Sequence, residues 1–248
     1  LMNLCQCVAS IQQQGSTLTR LELNSVRFGR GYEETAVDLL ANALSHNQSI
    51  MCLVIKDVYP ITDAQLARLV QPLAYHPRLN NLTLEAVPWH DETLKAMSEL
   101  LASSKCPIEV LNMSERTFAD EDDIELLPSL ENKPNLHNLM QSILPSGSSI
   151  VSMYLTECQL DNDDFRQLMN NLWKMPHLAH LDLSYNLISS FDLTSAFQAT
   201  MRSRPCRLRS LDMTGNPAFC EIDDMQRQYL TSIFFNTLGL GSLGRLLD

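Results

Sequence analysis

The chain has 248 residues, 45% of them apolar and 19% charged, a balance that excludes a disordered polymer and allows one large or two small folded units. Its net charge of −11, from 18 basic against 29 acidic residues, argues against nucleic acid, whose phosphates demand a basic face, and favours neutral or basic protein partners. No apolar run of the roughly 18 residues needed to cross a bilayer occurs, so no membrane span is expected.

Residues 1–17 read as an N-terminal cap, with Leu1 to Gln14 as a helix covering the first strand. From there one apolar frame recurs. It runs Leu18/Leu21/Leu23/Val26/Phe28, then Ile50/Leu53/Ile55/Val58, Leu79/Leu82/Leu84/Val87/Trp89 and Ile108/Leu111/Met113/Phe118. It continues as Ile150/Met153/Leu155/Cys158/Leu160, Leu178/Leu181/Leu183/Asn186/Ile188 and Leu208/Leu211/Met213/Asn216. Seven strands are therefore expected, with steps of 32, 29, 29, 42, 28 and 30 residues between their first positions. Within each, residues two apart point to one face, so Leu181 and Leu183 enter a core while His180, Asp182 and Ser184 face away.

The segments after each strand show helical spacing, as in Val37/Leu40/Ala41/Leu44 and Leu94/Met97/Leu100/Leu101. Thr62-x-x-Gln65 and Asp91 read as helix N-caps, and Pro77, Pro107, Pro176 and Pro205 separate helix from next strand. The 42-residue step is the gross irregularity. Residues 119–149 are read as a helical insertion, Glu121 to Leu130 and Asn135 to Leu144, split by Asn132-Lys-Pro134; it is either a degenerate repeat or a docking element. Residues 220–248 read as a C-terminal cap, with a helix over Glu221 to Thr237. Gly239-Leu-Gly241-Ser-Leu-Gly244 matches a dinucleotide loop by letter only, because no strand precedes it and too few residues follow for a helix.

The spacing L-x-x-L-x-L-x-x-N-x-I at Leu178 to Ile188, with long strand-helix units over Leu18 to Phe219, resembles the ribonuclease-inhibitor-like class of leucine-rich repeats. That class includes ribonuclease inhibitor, the RanGAP proteins, NLR receptors, tropomodulin and CARMIL. The resemblance implies one α/β domain over 1–248, a solenoid horseshoe with its parallel sheet on the concave face and helices on the convex face. Only Asn186 and Asn216 keep the repeat asparagine. Val26, Val58, Val87, Arg116 and Cys158 replace it, and Arg116 is expected to snorkel out or distort its unit. Cys158 is expected to pack as a small hydrophobe.

Seven cysteines, scattered without a secreted-module spacing, point to a reducing, cytoplasmic setting; a secreted bacterial effector acting in a host cytosol is the alternative. The sequons at Asn47, Asn81 and Asn112 are discounted accordingly. The chain begins with Leu rather than Met, so a piece of a longer protein is expected, with Met2 leaving that open. Cys5-x-Cys7 lacks a second pair at ligand spacing, so neither a metal nor a cofactor is expected. No nucleophile stands with a base, and His46, His76 and His177 recur near helix ends, where cationic or donor side chains are favoured.

The expected function is non-enzymatic binding of a protein partner on the concave face. The candidate contacts are Tyr154, Asp182, Tyr185, His180, Glu157, Glu115, Glu85 and Asp57, aromatic anchors in an acidic ring. Residues 108–178 carry 12 acids against 4 bases, whereas Arg202, Arg204, Arg207 and Arg209 make a small basic spot. The alternative is a RanGAP-like GTPase-activating protein using Arg30 in the strand-helix loop Arg27-Phe-Gly-Arg-Gly31.

Overall fold

The computed structural model describes residues 17–28, 31, 33–102, 107–114, 149–189 and 207–217. Within them seven strands form one sheet: β1 (Arg20–Asn24), β2 (Cys52–Lys56), β3 (Asn81–Glu85), β4 (Val110–Asn112), β5 (Ser152–Tyr154), β6 (His180–Asp182) and β7 (Ser210–Asp212). All neighbours are parallel, and their order in space is their order in sequence. The helices are α1 (Glu33–His46), α2 (Asp63–Val70), α3 (Asp91–Ala102) and α4 (Asn162–Asn171). None of the described helices is long and apolar enough to cross a membrane.

Each unit can be counted from its first apolar residue, so that Leu18, Ile50, Leu79, Ile108, Ile150, Leu178 and Leu208 are position 1. Position 4 then forms an unbroken register row of Leu21, Leu53, Leu82, Leu111, Met153, Leu181 and Leu211. Positions 4 and 6 are buried in every unit, and the inner helix residues Leu40, Leu66, Leu69, Met97, Leu100 and Leu168 join the same core. Burying each such leucine stabilises the fold by about 2 kcal/mol. Helices therefore cover one face of the sheet; positions 3, 5 and 7 form the other, hereafter the open face.

The 42-residue step does not interrupt the sheet: Val110, Leu111 and Asn112 pair directly with Ser152, Met153 and Tyr154. Residues 119–148 of the insertion, residues 1–16 and 218–248, Arg116, Cys106 and Cys206 lie outside the described residues.

Among the described residues position 8 has one backbone conformation. Ser25, Asp57, Ala86, Glu157, Tyr185 and Gly215 all have φ between 48° and 74°. There the chain leaves the strand, and the position-8 N–H donates to the position-7 carbonyl of the next unit, as from Asp57 to Glu85, Ala86 to Ser114 and Tyr185 to Thr214. Five of these six residues carry a side chain, so each bears the steric cost that glycine avoids.

Position 9 ties consecutive units together from inside. Asn186 donates to the carbonyls of Leu155 (2.8 Å), Leu183 and Ser184 and accepts from the Leu160 N–H. Asn216 donates to Leu183 (2.7 Å) and Met213 and accepts from the Ile188 N–H. Cys158 is buried as expected, yet its thiol also donates to the Met113 carbonyl at 3.3 Å, the same acceptor position that Asn186 and Asn216 use one and two units on.

Helix starts are set by carboxylates and hydroxyls. Thr62 and Gln65 form the expected capping box, and Asp161 forms another with Asp164. Asp91, read as an N-cap, is instead the first residue of α3. The cap comes from the preceding helix: Asp63 accepts from the N–H groups of His90 (2.8 Å), Glu92 (2.9 Å) and Thr93 (3.1 Å). Burial alone would raise the Asp63 carboxyl, but these bonds and that of the Thr93 hydroxyl hold it below the ordinary carboxylate range.

His46 behaves as helix-end logic requires, bonding the Asn42 carbonyl through Nδ1 at 2.8 Å. His76 does not. It follows the 3-10 turn Gln71–Tyr75, is 4% exposed, and burial pushes its pKa down, so it sits there as a neutral ring rather than a cation.

Candidate protein-binding face

The open face has two halves. On β1 to β3 basic and acidic side chains are matched: Arg20 pairs with Glu22, and Lys56 with Glu85 at 2.7 Å. From β4 to β7 no Lys or Arg occupies position 3, 5 or 7, while Asp182 and Asp212 stand side by side in register. Like carboxylates on neighbouring strands repel, and a cationic partner relieves that repulsion.

Position 5 also has a structural duty. Asn112, Asp182 and Asp212 each accept the position-7 N–H of their own unit, from Ser114, Ser184 and Thr214, all at 2.9 Å. One Asp182 oxygen additionally takes the Ser184 hydroxyl at 2.6 Å. These Asx turns end the strands, and in the Asp182 and Asp212 units the left-handed residues Tyr185 and Gly215 follow directly.

Alternation places every second residue outward, but four expected outward residues, Cys52, Ser114, Ser152 and Ser184, are buried. Cys52 lies under the Arg20 guanidinium, with Nη1 3.1 Å from Sγ, and burial raises its thiol pKa. Ser152 is buried between the flanking rows of Val110 and His180.

Near the C-terminal ends of β3 to β6 the open face sinks into a pocket of about 250 Å³. Glu85, Asn112 and Ser114 line one side; Tyr154, Thr156, Glu157 and Tyr185 line the other. Four of the eight residues named from sequence thus meet at one place. Tyr154 and Tyr185 are 36% and 59% exposed, large aromatic surfaces that no core reason holds outside. Asp182 stands beside Tyr154 in register without lining the pocket. Asp57 is half-buried at position 8 three units before Glu157, and exposed His180 stands at the opposite end of β6; neither lines the pocket. Glu115 lies outside the described residues.

Asn112, Ser114 and Thr156 also line the pocket; alternation placed them among the outward strand positions without naming them as contacts. Their signal was present, since they occupy positions 5 and 7 of the units beside the tyrosines.

Arg30 lies outside the described residues. Its loop neighbour Arg27 stacks on the Tyr59 ring with 5.4 Å to the centroid. Of the arginine spot, Arg207 and Arg209 are exposed just before β7, and Arg202 and Arg204 lie outside the described residues. Among the described residues no group of three or more His, Cys, Asp or Glu side chains is placed to hold a metal ion.

No family model matches the sequence, and no curated protein matches it. Among solved structures, the tropomodulin C-terminal domain of Caenorhabditis elegans is similar over 81% of this chain and 92% of that one, at 13% identity and a TM-score of 0.44, a degree of likeness that assigns no role to any residue here.

Proposed function

We propose that this chain is a leucine-rich repeat module of the ribonuclease-inhibitor-like class that binds a protein partner on its open face, without chemistry of its own. Strands in register stack about 4.8 Å apart while packed helices need 8–10 Å, so units repeated in this order splay on the helix side and curve the open face inward. The observation that carries the binding reading is the pocket shared by Tyr154 and Tyr185, exposed aromatics ringed by polar side chains, which is the composition of interface hot spots.

The test is affinity capture with mass spectrometry on three proteins: wild type, the Tyr154→Ala/Tyr185→Ala double variant, and a control changed on the exposed side of α3, Glu99→Gln. Partners held by wild type and control but lost from the double variant support the reading. Partners held equally by all three contradict it. The GTPase-activating alternative is checked separately by GTP hydrolysis across small GTPases with and without Arg30→Ala; the binding-module reading expects no acceleration from either protein.

A further inference from the structure

The pocket and the charges around it narrow the chemistry of what enters. Tyr154 stands at position 5 of one unit and Tyr185 at position 8 of the next, so both rings border one recess together with Glu157. Tyr185 lies against Gly215, close enough that a β-carbon there would sit 2.4 Å from the ring. That contact leaves the ring little rotamer freedom to lose on binding. Aromatic faces attract a cation, more strongly the less water surrounds it, and a recess sheds more of that water than a flat face does.

The carboxylates agree with the rings. Glu85 and Glu157 line the recess, Asp182 and Asp212 continue the acidic surface toward β7, and no Lys or Arg stands at positions 3, 5 or 7 from β4 to β7. Glu85, which Lys56 approaches to 2.7 Å, and Glu157 are the two carboxylates of the recess. Among cationic side chains the planar guanidinium both stacks on a ring and presents paired N–H donors to a carboxylate, whereas the ammonium of lysine is a compact, strongly hydrated charge.

Resting on the reading of the open face as a protein-binding surface, we propose that this recess seats one arginine side chain of a basic partner segment, its guanidinium against Tyr154 and Tyr185 and its charge answered by the carboxylates that line the recess, Glu85 and Glu157. The experiment needs no identified partner. Protein carrying ¹³C-labelled tyrosine rings is titrated by NMR with N-acetyl-arginine methylamide, and in parallel with the citrulline and lysine analogues. The ring signals of Tyr154 and Tyr185 move saturably with the arginine probe while those of Tyr59 and Tyr75 stay in place. Citrulline, equal in shape but uncharged, binds roughly tenfold more weakly, lysine binds more weakly than arginine, and Glu157→Gln weakens the arginine response several-fold.

Equal responses to arginine and citrulline, equal responses to arginine and lysine, movement of all tyrosines alike, or no movement at Tyr154 and Tyr185 each overturn the proposal. The two readings fail separately. A partner lost on Tyr154→Ala/Tyr185→Ala with no arginine response leaves the binding face standing and removes the arginine seat, whereas a selective arginine response with no partner lost removes the binding face as the route of capture.

Discussion

The ring of Tyr185 rests on Gly215, the residue at the same position of the next unit, so closely that a β-carbon on the glycine would stand 2.4 Å from Cδ1 and 2.7 Å from Cε1. Gly215 also has φ of 74°, so a side chain there meets both backbone strain and the ring. Gly215→Ala is expected to destabilise the fold by about 2 kcal/mol, read by denaturant unfolding. In the Tyr185→Ala background the same change costs less, because the ring is gone and only the backbone term remains. Additive losses in that double-mutant cycle would show that the ring is not what confines position 8.

The other position-8 residues predict the reverse response to glycine. Ala86, with φ of 52°, gains relief in the folded state that offsets the added freedom of the unfolded chain, so Ala86→Gly leaves stability within about 0.5 kcal/mol of wild type. Ala67, inside α2, has no such relief, and Ala67→Gly costs about 1 kcal/mol. Equal costs at the two sites would remove the account of position 8.

Asn186 links its unit to the preceding one from inside, its amide serving three carbonyls and one N–H in a buried site. Asn186→Leu leaves the Leu155 carbonyl and the Leu160 N–H without that partner and is expected to cost about 3 kcal/mol. Cys158→Ala, which removes a weaker sulfur donor, is expected to cost about 1 kcal/mol. Thermal melts of the two variants check the order.

Among the described residues, two groups with buried surroundings contribute to the acid side of stability. His76 is neutral when folded because burial lowers its pKa, so below the ordinary histidine value of 6.5 the unfolded chain binds a proton that the folded chain refuses, and stability falls as pH drops through that value. His76→Phe removes this slope between pH 7.5 and 5.5, measured by urea unfolding. Asp63 has a lowered pKa, so its contribution is fully present above the ordinary value of 3.8 and is lost as pH falls through the folded value. Asp63→Ala, which uncaps α3, costs about 1 kcal/mol at neutral pH.

What the sequence made legible was whatever repeats at short range. Period-two alternation puts Leu53 and Ile55 on one face whatever their neighbours are, and the unit spacing then stacks Leu53 on Leu82. The unit spacing puts Tyr154 and Tyr185 in adjacent units, but alternation would send position 8 inward, and the left-handed turn at Tyr185 is what leaves both rings at one recess. Contacts between units at longer range were hidden: Asp63 caps a helix that begins 28 residues later, and nothing near Asp91 announces it. Position 8 was hidden for a different reason. Serine, aspartate, alanine, glutamate and tyrosine give no glycine signal, and the strain is accepted because the hydrogen bonds to the next unit over-determine the turn. Burial of Cys52 depended on where Arg20 lies, which alternation does not specify.

On the proposed function a protein partner is held at the open face around β5 and β6. The most direct measurement of this claim is the dissociation rate of a captured partner from wild type, Tyr154→Ala and Tyr185→Ala, with unfolding curves of each protein alongside. Each substitution should speed dissociation by an amount corresponding to about 2 kcal/mol while leaving stability within about 0.5 kcal/mol, since both rings are exposed. Dissociation unchanged in both variants, but binding abolished when residues 121–144 are replaced by an ordinary repeat, would contradict the claim and move the docking site to the insertion.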